Sequence, residues 1–294
     1  MVYQVNEDNI RLDNFLSKNM EKTRSQITKM IKAGEVLVND KITKAGYVLK
    51  SGDKITVNHE EEIMTTMPEQ MDLDIVYEDD DIIVINKANG VVVHPAPGNY
   101  HNTLVNGLLY HCKLSDVNGS FRPGIVHRID ANTTGLLVVA KNNEAHMKLA
   151  NQLENKTTYR KYIALVWGVI QNDTGTIDAP IGRSQNDRKK MAINPNGKEA
   201  ITHFKVLKRL KNATLIELKL ETGRTHQIRV HMDYIGHPVV NDQVYGKRKL
   251  IDDTGQCLHA KKLGFVHPKT GKYMEFDSEL PDKFINIMSN FEEE

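Results

Sequence analysis

The hydrophobic positions change period along the chain. Ile10, Leu12, Phe15, Leu16 and Met20 recur at helical spacing. A second helix is predicted on the apolar face Ile27, Met30 and Ile31, with Ser25 as its candidate cap and Gly34 where a left-handed terminal residue belongs. Val36, Val38 and Ile42 then alternate as strands do, across an Asn39-Asp40 turn, and Ile55 and Val57 follow the turn Ser51-Gly52-Asp53. Residues 1–58 are thus predicted to form a small helix, helix, hairpin unit.

From 59 to 74 the acids, methionines and Pro68 follow no period, which predicts a linker. Beyond Ile75 a turn at 78–81 leads into the apolar run 82–85. Further strands are predicted at 135–140, 162–166, 201–207, 214–220 and 258–265, and helices over 102–112, 143–153 and 225–235. Strands outnumber helices and do not alternate with them regularly. The predicted fold class is therefore α+β: a mainly antiparallel mixed-sheet domain over 75–294, behind a small N-terminal α/β domain.

Composition changes this picture mainly through charge. The 294 residues are 39% apolar and 26% charged, enough for one or two domains with their own cores. The formal net charge of +1 suggests no nucleic-acid partner until it is resolved along the chain. Residues 1–58 hold 10 Lys+Arg against 7 Asp+Glu, 59–86 hold 10 acids and no base, and 87–294 hold 29 bases against 21 acids. Two basic bodies flank an acidic connector, and the terminal Glu292, Glu293 and Glu294 hide part of the second. The start MVYQVNEDNIRLDNFL lacks the basic and apolar regions of a secretory signal, and no apolar run is long enough to span a bilayer. Cys112 and Cys257 have no metal-type spacing, which fits a reducing cytoplasm. GxSxG, HExxH and the glycine-rich phosphate loops are all missing, and His226 and His231 stand five apart, a poor ligand spacing, so neither metal nor nucleotide cofactor is expected.

Chemistry concentrates in two stretches. Across 122–141, an extended backbone would turn Arg128 and Asp130 to one face and His127 and Ile129 to the other. A carboxylate beside a guanidinium stays ionised and suits nucleophilic or general-base work, although a structural ion pair at a strand end accounts for the same residues. The second stretch is 220–231. Gly223 breaks a strand, Thr225 is a candidate helix cap, and Ile228 with Met232 face the core while Gln227 and Arg229 face elsewhere. The helix dipole disfavours an arginine near a helix start, so a carboxylate from another segment is expected beside it, with Asp130 as the candidate. Tyr162 opens an apolar strand, either as core or as a ring on which a nucleobase stacks. In 1–58, Lys18, Lys22, Arg24, Lys29 and Lys32 line the outer helix face, either as an ordinary solvated surface or as a nucleic-acid contact.

The ordered pattern Arg11-Leu12-Asp13, Arg24-Ser25, Ile31-Lys32-Ala33-Gly34, Val38-Asn39 and Gly52-Asp53 resembles the S-four type RNA-binding domain, with Thr23 where a serine often stands. The resemblance implies a basic helix pair, here Arg11, Lys18, Arg24, Lys29 and Lys32, laid against structured RNA. The rest of the chain resembles the RluA/RluD family of pseudouridine synthases. Matching stretches run in order from Tyr77-Glu-Asp-Asp80 and Val84-Ile-Asn-Lys87 through Val93-His94-Pro95, 122–128, Asp130, 134–141 and Lys161-Tyr162 to 222–231, Tyr245-Gly246 and Leu258-His-Ala260.

This second resemblance implies an isomerase that cleaves the glycosidic bond of a uridine in RNA, rotates the uracil and rejoins the ribose through carbon five. By position, Asp130 matches the catalytic aspartate, as nucleophile or in an elimination route. Tyr162 matches a tyrosine that stacks on the base and assists proton removal, and Arg229 matches the basic partner of the aspartate. Arg128 matches an arginine that holds the base out of its helix, and His127, Arg224 and Gln227 are expected to complete the substrate-binding set. No cofactor is implied. Ala88, Ile129, Ala131, Thr134, Asn241 and Gln243 depart from the family pattern, and none is a proposed catalytic group. The expected partner is structured RNA, bacterial large-subunit ribosomal RNA first. Transfer RNA and a non-catalytic assembly role are the alternatives. A cytoplasmic monomer acting without membrane or DNA is expected.

Overall fold

The apolar periodicities settle into one core in the unit Met1–Ile63 and several clusters in the unit Met64–Glu294. The computed structural model describes all residues except 21, 59–65, 97–98, 188–189, 247–249 and 292–294. Much of the expected connector, including Glu60, Glu61 and Glu62, and the terminal Glu292, Glu293 and Glu294 therefore lie outside the described residues.

The first unit runs β1 (Val2–Gln4), β2 (Ile10–Arg11), α1 (Leu12–Asn19), α2 (Arg24–Lys32), β3 (Val36–Val38), β4 (Lys41–Ile42), β5 (Val48–Leu49) and β6 (Lys54–Val57). Its main sheet has the order β1-β6-β3-β4, and β2 pairs with β5. Leu12 and Leu16 of α1 and Ile27 and Ile31 of α2 pack on Val36 and Ile55, so both predicted apolar faces meet one core. Asn39 and Asp40, at φ 52° and 62°, supply the two left-handed residues of a tight hairpin. Two expectations are corrected. Ile10 belongs to β2, and α1 begins at Leu12. The cap of α2 is Thr23, not Ser25: the Thr23 hydroxyl accepts from Gln26 N, and the Gln26 side chain accepts from Thr23 N, a reciprocal arrangement that Ser25, two residues later and already inside the helix, cannot make.

The second unit runs β7 (Ile75–Glu78), β8 (Ile82–Lys87), α3 (Leu104–His111), β9 (Thr134–Ala140), α4 (Asn143–Glu154), β10 (Tyr159–Trp167), β11 (Thr174–Asp178), β12 (Ile181–Arg183), β13 (Met191–Ile193), β14 (Ile201–Leu210), β15 (Ala213–Leu220), α5 (Gln227–Tyr234), β16 (Leu258–Val266), β17 (Tyr273–Asp277) and α6 (Asp282–Ser289). The central sheet has the order β11-β14-β15-β10-β16-β9-β8-β7, with β17 beside the second half of β16. Its pairs are antiparallel except β9 with β16. The mixed, mainly antiparallel α+β fold is as the sequence predicts.

The sheet is buried on both faces, which explains why its strands read as continuous apolar runs. Tyr162, Ala164 and Val166 of β10 share one core with Leu104 and Leu108 of α3 and Ile228 and Met232 of α5. Their strand neighbours Ile163 and Leu165 pack on Phe284 and Ile287 of α6, and Val138 of β9 packs with Leu149 of α4. The α3 and α5 face carries the site described below. Residues 66–74, expected within the linker, lie along this unit: Glu69 N donates to Asn106 O, and the buried Asn106 amide donates to Met67 O. No helix among the described residues is long and apolar enough to cross a membrane.

The parallel step seats Gly135 opposite Ala260. Gly135 has φ +107°, and a Cβ there would lie 2.4 Å from the Ala260 carbonyl oxygen. Replacing it with alanine adds backbone strain to a clash inside the sheet. Gly135→Ala should destabilise the protein by about 2–5 kcal/mol. Chemical denaturation followed through Trp167, the single tryptophan, measures this; a loss below about 1 kcal/mol would show that β9 and β16 yield at this point.

Candidate active site

Asp130 ends a short irregular segment that leads into β9. Three contacts fix that segment. His127 Nε2 accepts from Val138 N at 3.1 Å, Ile129 is buried, and Thr133 N closes a turn onto Asp130 O at 3.0 Å. Lys87, at the end of β8 and 2% exposed, donates from Nζ to Ala88 O and to Ala131 O, the residue next to Asp130. Burial pulls the Lys87 ammonium down to about 7, against the opposing pull of the Asp130 charge. The segment is not a regular strand, yet its sides divide as expected: Ile129 goes inward and His127 under β9, while Arg128 and Asp130 line a cleft.

The opposite wall is the start of α5. Thr225, the cap expected from sequence, does not cap this helix. The cap position is His226, left-handed at φ 57° with no side-chain cap bond, and the Thr225 hydroxyl accepts from Arg128 Nη2 at 2.9 Å. A left-handed non-glycine residue is strained. Here it brings the His226 imidazole to Tyr245, with Nδ1 2.7 Å from the hydroxyl and Nε2 3.8 Å from Asp130 Oδ1.

Gln227 and Arg229 do not face away from the core. They are 3% and 5% exposed, because each finds a full set of partners inside. The Gln227 amide accepts from Thr222 Oγ1 and Arg224 N and donates to Ile201 O and Thr202 Oγ1, so it is spent on holding the turn. Arg224 remains on the cleft rim, its Nε donating to Glu199 O at 2.8 Å.

Arg229 joins the two walls. Its Nη1 donates to Asp130 Oδ2 at 2.8 Å, as the sequence predicts. The same guanidinium donates from Nε and Nη2 to both oxygens of Asp242, at 2.7 and 2.9 Å, and lies 5.0 Å from the Tyr245 ring centre. Val244 N and Tyr245 N complete the partners of Asp242. Burial alone would raise Asp242, but the bonds and charge of Arg229, with these two backbone donors, hold it below the usual aspartate value. Burial opposes the charge on Arg229 too, and the two carboxylates more than restore it. Asp130 Oδ1 accepts no hydrogen bond among the described residues and faces the cleft.

The cleft holds about 450 Å³. Tyr162 forms part of its floor, 7% exposed, with its hydroxyl pushed up chiefly by burial. Asp130, Tyr162, Arg229, Arg128, His127, Arg224 and Gln227 thus all line one cleft. The basic residues singled out in 1–58 divide in two: Arg11 and Arg24 each reach Asp13 at 2.9 Å and brace the helix pair, while Lys18, Lys29 and Lys32 are exposed.

Sequence reasoning missed Asp242, His226, Tyr245, Lys87, His94 and Arg160 as site residues. Asp242 and Tyr245 lie in the stretch Asn-Asp-Gln-Val-Tyr-Gly, and its acid was the available signal. Asp79, Asp81 and His267 could geometrically share a cation. The Asp79 carboxylate is already filled by Asp81 N, Ile82 N, the Tyr77 hydroxyl and His267, so this cluster reads as a turn clasp.

Comparisons with known proteins bear on this geometry. A family model described as RNA pseudouridylate synthase matches residues 81–234, and one described as S4 domain matches 10–55. An uncharacterized RNA pseudouridine synthase, YlyB, of Bacillus subtilis is 54% identical over 283 residues, spanning 95% of this chain and 93% of that protein. The ribosomal large subunit pseudouridine synthase D of Pseudomonas aeruginosa is 44% identical over 283 residues, spanning 92% of this chain and 88% of that protein. Among solved structures, human RNA pseudouridylate synthase domain containing 1 matches with TM-score 0.58 and 28% identity, over 76% of this chain and 97% of its own.

Asp242→Ala strips a buried guanidinium of its two-pronged partner and should cost about 3–5 kcal/mol at neutral pH. Because the folded protein holds this carboxyl below the ordinary value of about 3.9, its contribution is present above that value and fades as pH falls through the folded one. The stability gap between parent and variant should therefore narrow below about pH 4 in denaturant titrations. A gap of the same size at pH 7 and in acid would contradict the assignment.

Proposed function

The chain belongs to the RNA pseudouridylate synthase family and carries an S4 domain, and from that premise we propose that Asp130 performs the isomerisation of uridine in structured RNA. The observation that carries the proposal is the Asp130 carboxylate itself: one oxygen is anchored to a buried arginine and the other faces a cleft floored by a tyrosine. The reaction breaks the bond from N1 of uracil to the ribose, rotates the base and forms the bond from C5. A proton leaves C5 and one is gained at N1, so atoms and electrons balance without a cofactor.

Each neighbour has a part in this reading. Arg229 fixes the direction of the Asp130 carboxylate, and Asp242 fixes Arg229. Tyr162 stacks on the uracil that has left its helix, and stacking helps offset the few kcal/mol that unstacking costs. Arg128 and Arg224 hold the flanking RNA. His127 and Gln227 act from behind, by shaping the Asp130 loop and the turn before α5. Asp130 either attacks the ribose at C1′ as the bond to N1 breaks or takes the C2′ proton in an elimination, and both routes need one carboxylate oxygen free to face the sugar.

In this reading RNA binding belongs to residues 1–58 and catalysis to 75–294, with 66–74 packed along the catalytic unit. Large-subunit ribosomal RNA is the substrate we favour, because relatives of 52% and 44% identity are named for it. One chain supplies every group in the cleft, so a monomer suffices. The free Cys112 and Cys257 suit the reducing cytoplasm in which ribosomal RNA is modified.

Asp130→Asn keeps the shape of the side chain and removes its charge. Pseudouridine formation in a large-subunit ribosomal RNA transcript should fall by about 10³-fold or more, with RNA affinity within a few-fold. Unchanged product would refute the mechanism. For the N-terminal unit, changing Lys18, Lys29 and Lys32 together to alanine should flatten the dependence of log affinity on log salt by about 2, at roughly 0.7–0.9 per lost phosphate contact. An unaltered slope would mean that this face does not meet phosphates.

A further inference from the structure

The cleft contains a cation that the Asp130 chemistry leaves without a role. Arg160 precedes Tyr162 by two residues on β10, so both side chains leave the sheet on the same face and line the same cleft. Arg160 is 8% exposed. Among the described residues its Nε has no hydrogen-bond partner, and no carboxylate comes within 4.0 Å of its guanidinium. Glu154 lines the cleft as well but stands beyond that distance.

Arg229 shows the contrast: equally buried, it is held by two carboxylates. A guanidinium remains charged at any physiological pH, and burying it without an anion is costly. Neutral carbonyls can satisfy its N–H groups, but only an anion cancels its charge.

A second group in the cleft is also left open. His94 is 6% exposed, and its Nδ1 has no partner. Burial, then the charges of Arg122 and Arg128, bring its imidazole down to about 4, so it is neutral in the cell. Five described residues have a buried side-chain nitrogen or oxygen without a partner, and two of them, His94 and Arg160, line this one cleft. The opening over Arg160 is also kept clear, since a Cβ at Gly223 would lie 2.9 Å from Arg160 Nη1.

We propose that Arg160 is an anion seat inside the catalytic cleft and that its occupant is a phosphodiester of the substrate RNA beside the target nucleotide. The phosphodiester is the anionic part of RNA, and Arg122 and Arg128 on the neighbouring wall add to the attraction. Docking RNA supplies the missing counter-charge, so Arg160 ties correct seating of the strand to the placement of the base over Tyr162. The inference rests on the reading above, in which RNA enters this cleft at Asp130.

The test uses the full chain with Asp130→Asn, so that no turnover occurs, and a large-subunit ribosomal RNA transcript as the probe over a series of KCl concentrations. Adding Arg160→Gln should weaken binding about ten- to a hundredfold and flatten the slope of log affinity against log salt by roughly 0.7–0.9. Adding Arg160→Lys should preserve the slope. Without RNA, the glutamine variant should melt no lower than its parent, because it loses an uncompensated buried charge. Weakened binding with an unchanged slope would overturn the proposal in favour of a neutral contact such as a uracil carbonyl, and a clear drop in melting temperature would mark Arg160 as structural. Failure of the parent to bind the transcript would instead bring down the reading of the cleft, and the inference with it.

Discussion

A buried guanidinium shared by two carboxylates is the constraint on which the catalytic unit depends. Arg229 comes from α5, Asp130 from the segment before β9, 99 residues away, and Asp242 from the loop before β16, 13 residues away. Burying the arginine is tolerable only when both acids arrive, and the buried Asp242 is held below the usual aspartate value by the arginine beside it. The salt bridge therefore specifies one arrangement of three segments more than it adds net stability. That arrangement puts Asp130 Oδ1 into the cleft.

The surrounding fold makes this economical. A sheet covered on both faces lets β10 project Tyr162 and Arg160 toward the cleft while Ile163 and Leu165 secure it to α6. Lys87 ties the Asp130 loop from beneath, and the left-handed His226 turns the start of α5 toward it. The site carries local cost: a left-handed His226, a Lys87 whose ammonium is pulled down by burial and an Arg160 with no carboxylate beside it. A site that waits for a large anionic ligand is expected to hold such groups, because the ligand supplies what the free protein lacks. The net charge of +1 then reads as a cancellation between basic working surfaces and the acids of 59–86 and the terminus.

Much of this was legible in the residues. Period-two and period-3.6 patterns located the larger strands and helices, and their uninterrupted apolar character follows from two-sided burial. The short β11, β12, β13 and β17, of three to five residues each, escaped because so few positions do not establish a period. The cap of α2 was misplaced although Thr23 and Gln26 have capping-box spacing, since Ser25 looked equally suitable without its partner. The pairing of Arg229 with Asp130 could be argued from electrostatics alone, because a cation near a helix start needs a reason. Asp242 could not, because its role appears only when the loop after α5 folds back onto Arg229. Gln227 was expected to face away from the core, and Arg160 drew no attention, because burial of a polar side chain is decided by partners, or their lack, that sequence spacing does not show.

The central claim is that Arg229 holds Asp130 in its reactive state, and the most direct measurement is the single-turnover rate of Arg229→Gln at saturating RNA. The account predicts a fall of at least about 100-fold with affinity for the transcript within a few-fold, the pattern of a lost transition-state interaction. A rate within about threefold of the parent, in a variant that still folds and binds RNA, would contradict it.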